Sequence, residues 1–134
     1  MKTYSIGETA RRTGVKVPTI RYYEGIGLLP KTPRHDNNRR YYDNGAVERL
    51  SFIKHAREMG FDITDIATLL ALRETPKKSC GEADRIARAR LADVETRIGN
   101  LLSLKSELEG MIRRCRKERV ATCQVMESIS ERSC

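Results

Sequence analysis

The sequence predicts a mainly α-helical chain: a winged helix-turn-helix domain, then a long coiled-coil helix, then a short loop and tail. Three observations carry that prediction. The 134 residues are 39% hydrophobic but only 5% aromatic, with no tryptophan and 33% charged, which suits helices bearing one apolar stripe better than a sandwich or barrel. Apolar residues recur at three- and four-residue steps behind residues that cap helices. A heptad repeat then runs from Leu91 to Cys115. A chain of this length holds one domain, or a small domain with an appended element, which excludes a large two-domain enzyme.

Ser5 is placed to cap the first helix, with Glu8 three residues on as its reciprocal partner. Ile6, Thr9, Ala10 and Val15 follow at helical spacing, and Gly14 ends the helix. Pro18 suits the first turn of a second helix, which continues through Thr19-Ile20-Arg21-Tyr22-Tyr23-Glu24 to Gly25 and Gly27. Two short helices about a tight glycine turn make a helix-turn-helix. Gly25-x-Gly27 lacks a third glycine and a preceding strand, so a dinucleotide loop is not expected. From Leu28 to Tyr42, Pro30, Pro33 and the Asn37-Asn38 turn bracket two short extended segments, a β-hairpin or wing. Asp43 or Asn44 caps a third helix carrying Val47, Leu50, Phe52, Ile53 and Ala56 as far as Gly60. Asp62 or Thr64 starts a fourth, with Ile66, Leu69, Leu70 and Leu72, stopped by Thr75-Pro76.

In the fifth helix Leu91, Val94, Ile98, Leu101, Lys105, Leu108, Ile112 and Cys115 follow each other at alternating steps of 3 and 4. With charged flanks such as Arg97, Glu107 and Glu109, such a helix cannot hide its stripe on a small domain alone. A homodimer is therefore expected, the plainer alternative being a helix folded back on its own domain. We accordingly assign 1–75 to the winged helix-turn-helix, 76–114 to the dimerisation helix, and 115–134 to the loop and tail.

Lys and Arg number 26 against 18 Asp and Glu, a net charge of +8 that attracts phosphate polymers. Residues 1–42 hold nine of the cations against Glu8, Glu24 and Asp36, so the excess sits on the helix-turn-helix. Lys16, Thr19, Arg21, Tyr22 and Tyr23 lie at or just inside the second helix, where a recognition helix meets base edges in the major groove. Arg34, Arg39 and Arg40 make a basic wing, interleaved with Tyr41 and Tyr42 for phosphate and sugar contacts. A solvated surface would account for any one of these residues, and one tyrosine of each pair must face inward. The whole cluster over a helix-turn-helix points to double-stranded DNA.

No run of about 18 apolar residues and no apolar leader at MKTYSIGETARR occurs, so no membrane partner is expected and the protein is read as cytoplasmic. In a reducing compartment Cys80, Cys115, Cys123 and Cys134 are read as metal ligands or redox thiols. The spacing Cys115-x7-Cys123 exceeds that of a zinc-finger knuckle and by itself also fits a seam cysteine and an incidental neighbour.

The stretch from Ser5-Ile6-Gly7-Glu8 through Thr13-Gly14-Val15, the run Ile20-Arg21-Tyr22-Tyr23-Glu24, Gly27-Leu28-Leu29, Arg39-Arg40-Tyr41-Tyr42, Val47 to Ile53 and Met59-Gly60-Phe61 resemble the MerR family of bacterial transcription regulators. The likeness extends through the long helix and the cysteine-bearing loop. It implies a dimer whose long helices pair antiparallel, a promoter target, and activation by bending and untwisting an overlong spacer until RNA polymerase engages both promoter elements. Antiparallel pairing also gives the thiols a geometry. Cys80 and Cys115 are 35 residues apart, about 50 Å along a helix, so one chain cannot bring them to one ion. Reversed helices bring Cys80 of one chain towards Cys115 and Cys123 of the other.

In relatives that sense monovalent copper, silver or gold a serine aligns with Cys80, so the resemblance implies a divalent thiophilic ion here: cadmium, lead, zinc or mercury. His35 falls in the wing and His55 in the third helix, and Arg116 to Thr122 contains no histidine, which tilts the reading towards thiolate-only coordination. Arg113, Arg114, Arg116, Lys117 and Arg119 would offset the negative charge of three thiolates, or simply solvate a helix end. The alternative function on the same fold is thiol-based sensing of oxidants or electrophiles. A drug-binding regulator would need a ligand domain for which some 20 residues after the long helix leave no room. An enzyme is not expected, because the cysteines lack a partnered histidine.

Overall fold

The computed structural model describes residues 2–31, 41–115, 119–120 and 123–132. It comprises two compact units, Met1–Ala87 and Arg88–Cys134. The elements in order are β1 (Tyr4–Ser5), α1 (Ile6–Thr13), α2 (Val17–Gly25), β2 (Tyr41–Tyr42), α3 (Asn44–Glu58), α4 (Ile63–Arg73), α5 (Gly81–Arg114) and α6 (Gln124–Arg132).

Each helix of the first unit starts where a side-chain oxygen or a proline relieves the unpaired N–H groups of its first turn. Ser5 Oγ accepts from Glu8 N–H, Asp43 accepts from Ala46 N–H and Asp62 accepts from Asp65 N–H. Helix α2 follows Lys16, has no side-chain cap, and uses Pro18 in its first turn instead. Gly14 closes α1 at φ 75°, a left-handed conformation that a side chain resists. A Cβ there would also collide with the Lys54 ammonium, so α3 approaches the helix-turn-helix turn closely.

The core of this unit is built from Val15, Ile20, Tyr23, Leu28, Leu29, Tyr42, Leu50, Ile53, Ala56, Ile66 and Leu70, with Ile6, Ala10, Phe52 and Phe61 at its margin. Thr9 is fully buried, and its hydroxyl donates to Ser5 C=O at 2.8 Å. Leu29, Leu50, Ile53, Ile66 and Leu70 are each about 1% exposed or less, so truncating any one to Ala would cost about 2–5 kcal/mol.

Two differences from the sequence reading have physical reasons. Tyr41–Tyr42 pairs antiparallel with Tyr4–Ser5, Tyr4 opposite Tyr42 and Ser5 opposite Tyr41. A two-residue strand leaves no alternation to detect, so β1 was not anticipated. The expected turn of the wing, with Arg34, Arg39 and Arg40, lies outside the described residues. The second difference is α6, in a stretch read as loop and tail. Its start carries none of the Ser, Thr, Asp or Asn signals that mark a helix N-terminus, since Cys123 stands there.

In the second unit the stripe residues Leu91, Ile98, Leu101, Leu108 and Ile112 are exposed on the single chain, while Met111 is buried. Glu82 and Asp84 in the first turn of α5 and Arg113 and Arg114 in its last oppose the helix dipole at both ends. No described helix is long and apolar enough to cross a membrane.

Candidate nucleic-acid interface and thiol pair

The recognition helix sorts its side chains by the helical period. Ile20, Tyr23 and Glu24 turn into the core, while Lys16, Arg21 and Tyr22 are exposed and Thr19 is half-buried. Tyr22, at 56% exposure, presents a ring and hydroxyl to solvent beside the buried Tyr23, the ring centroids 5.9 Å apart. Tyr23 and Tyr42, named from the sequence as contact residues, are buried in this arrangement. Tyr42 is completely buried, and its hydroxyl donates to the buried carboxylate of Glu24 at 2.6 Å. It joins β2 to α2 and holds the surface from beneath. The half-buried Tyr41 is its outward neighbour.

A cleft of about 380 Å³ opens beside the start of α2, lined by Gly14, Val15, Lys16, Thr19, Tyr23, Lys54, Arg57 and Glu58. Lys54 and Arg57 were missed in the sequence. They sit three residues apart on the face of α3 that is not committed to the core, and this spacing is the signal that could have found them. Arg57 also donates to Phe61 C=O at 3.0 Å, and Lys54 lies 3.8 Å from Glu58, so both cations are held near the cleft. Lys16, Lys54 and Arg57 against Glu58 leave the cleft positive. Along α1, Arg12 stacks over the Tyr4 ring at 4.2 Å and pairs with Glu8, and Arg11 also pairs with Glu8. These contacts hold the Glu8 carboxyl below the usual carboxylate range, the Arg11 hydrogen bond foremost.

The thiols divide between the units. Cys115 follows the last residue of α5 and Cys123 precedes the first of α6, and their sulfurs stand 3.8 Å apart. The N–H groups of Met126 and then Val125 donate to Cys123 Sγ, and the neighbouring Cys115 adds a smaller effect. Together they lower the Cys123 thiol below the ordinary cysteine range. Cys80 belongs to the other unit, exposed just before α5, where its C=O accepts the Asp84 N–H of the first turn of that helix. No group of three metal-binding side chains assembles among the described residues. Cys134 and Arg116 to Glu118 lie outside them.

The separation of two thiols bears on whether they can reach one ion. With metal–sulfur bonds of about 2.3 Å, two ligands of a tetrahedral ion stand about 3.8 Å apart and two ligands of a linear ion about 4.6 Å. The observed 3.8 Å is thiol–thiol contact without an ion, and it places the two sulfurs close enough to share one without a large rearrangement.

The chain matches two family models, "MerR HTH family regulatory protein" over residues 4–72 and "MerR, DNA binding" over residues 47–111. It is 34% identical to the HTH-type transcriptional regulator ZntR of Escherichia coli K12, covering 96% of this chain and 93% of that protein. Among solved structures it is similar to the transcription regulator PbrR691 of Ralstonia metallidurans in complex with lead(II), with a TM-score of 0.80 and 34% identity over 94% of this chain and 98% of the other. It is also similar to the dual-function regulator MerR of Bacillus megaterium in complex with mercury(II), with a TM-score of 0.69 and 27% identity over 95% and 99% of the two chains.

Proposed function

This chain belongs to the MerR family of helix-turn-helix transcription regulators, and from that membership we propose that it is a metal-responsive regulator of metal-resistance or efflux genes. The effector is a divalent thiophilic ion, one of cadmium, lead, zinc or mercury, held by Cys115 and Cys123 of one subunit with Cys80 of its partner in a homodimer. The observation that carries this reading is the 3.8 Å thiol pair at the N-terminus of α6, on a chain whose other end is a basic helix-turn-helix. Relatives solved with lead(II) and mercury(II) support the class of ion.

On DNA, Arg21 and Tyr22 face the groove, and Lys16, Lys54 and Arg57 take backbone phosphates in the cleft beside α2. Arg34, Arg39 and Arg40 extend the grip from the wing. Metal biases a two-state dimer, and the quantity it controls is the deformation of the promoter spacer, which lets RNA polymerase engage.

One experiment tests both halves. The reduced protein is titrated in competition with zinc, cadmium, lead, mercury, copper(I) and nickel while bound to a duplex it has selected from random DNA, with 2-aminopurine at the duplex centre. A divalent thiophilic ion is expected to win and to raise the 2-aminopurine signal as the central bases unstack. A signal change driven by peroxide, with none from any ion, would overturn the metal reading in favour of oxidant sensing on the same fold.

A further inference from the structure

Within the first unit, the segment that carries Cys80 is fastened to the end of the recognition helix through one side chain. Helix α2 ends in a turn where the N–H groups of Leu28 and Leu29 both donate to Tyr23 C=O, after Gly27 at φ 81°. Helix α4 ends at Glu74, whose N–H donates to Ala71 C=O, and a turn from Thr75 to Lys78 then leads to Cys80. Arg49 on α3 spans these two ends. Its Nε donates to Leu28 C=O at 2.9 Å and its Nη1 to a Glu74 carboxylate oxygen at 2.8 Å.

Stability alone does not explain such a contact. Glu74 is 68% exposed, and ion pairs of that kind contribute about 0–1 kcal/mol. The geometry of the link is more informative. The Arg49 side chain is only 23% exposed, and a guanidinium fixes Nε and Nη1 rigidly with respect to each other. A displacement of Glu74 must therefore either carry the Leu28 carbonyl with it or break one of the two bonds. A second contact keeps α4 registered on α3 without touching α2: Arg73 stacks over the Phe52 ring at 5.2 Å and lies 3.8 Å from Glu48.

We propose that Arg49 is the positioning residue that transmits occupancy of the Cys80 thiolate to the C-terminal end of the recognition helix, through its simultaneous bonds to Glu74 and to Leu28 C=O. The inference rests on Cys80 being a ligand of the effector ion. Lysine cannot replace Arg49 in this role, because one ammonium can follow Glu74 while abandoning Leu28.

The test compares wild type, Arg49→Lys and Glu74→Ala, the last at an exposed site where folding is not at stake. Cadmium is the probe. Three quantities are read: cadmium affinity by thiolate-to-metal absorption, affinity for the selected duplex without metal, and the cadmium-induced change of central 2-aminopurine. Both variants are expected to keep the first two and to lose the third about fivefold or more, a loss at the low end of typical coupling between sites. A purely structural role would lower duplex affinity and leave the response of the bound fraction intact, which would overturn the proposal. If wild type responds to cadmium and both variants respond equally, the coupling fails while the regulator reading stands. If wild type binds cadmium and its duplex responds neither to it nor to zinc, lead or mercury, the regulator reading fails and the coupling with it.

Discussion

At Cys123 a sulfur takes the place that a serine or aspartate oxygen takes at the starts of α1, α3 and α4, accepting N–H groups from the first turn of α6. The helix dipole and these two donors favour the thiolate over the thiol. Because the folded thiol titrates below its unfolded value, its contribution to stability is complete at pH above the unfolded cysteine range. It disappears as pH falls through the lowered value. If Cys123 is a ligand as proposed, protons compete with the ion for the same sulfur, and the lowered value would extend metal binding to more acid solution. Val125→Pro tests the cause: proline is tolerated in a first helical turn and removes one of the two donors. The alkylation midpoint of Cys123, followed by peptide-resolved mass spectrometry, is expected to move to higher pH. An unmoved midpoint would place the cause elsewhere than in the Val125 N–H. Residue types alone pointed to this cysteine. Its partner N–H groups did not show in the sequence, because α6 is nine residues long and has no oxygen cap.

Helix α5 carries the seam of the proposed dimer. Leu101 and Ile112 are 64% and 68% exposed in the single chain, on a 34-residue helix whose repeat is that of a coiled coil. Leu101→Lys or Leu108→Lys puts an unpaired ammonium into the proposed seam, and a buried unpaired charge costs about 3–5 kcal/mol. Sedimentation is expected to show monomers for either variant at concentrations where wild type is dimeric. Dimers persisting in both would mean that the stripe faces something else. Elements of this kind were well legible in the sequence. The heptad and the caps at Ser5, Asp43 and Asp62 depend on local chemistry, which a sequence displays directly. Pairing between Tyr4–Ser5 and Tyr41–Tyr42 joins residues almost 40 positions apart over two-residue strands, and nothing local marks it. The same limit applied to the tyrosines. Periodicity required one of each pair to turn inward, but only the packing around Glu24 decided that Tyr42 and Tyr23 do so.

At the scale of the whole molecule the three thiols fall on two units, Cys80 just before α5 and Cys115 and Cys123 after it. In the proposed site the pair at 3.8 Å would supply two ligands, and a third would come from outside that pair. On the proposed antiparallel pairing of two α5 helices it would be drawn from the partner subunit, once at each end of the dimer. This arrangement has a consequence that no single-chain site shares. Cys80→Ser and Cys115→Ser homodimers should each bind cadmium or lead poorly, since every site in them lacks a thiolate. A heterodimer of the two variants concentrates both losses in one site and leaves the other with all three thiolates. After subunit exchange, half of the wild-type thiolate-to-metal absorption is therefore expected to return. Were all ligands drawn from one chain, each subunit of the heterodimer would still lack one sulfur and neither site would recover. Exchange confirmed by mass, with no return of absorption, would thus confine the ligands to one chain or leave Cys80 out of the site. It would also remove the route by which Arg49 is proposed to read metal occupancy.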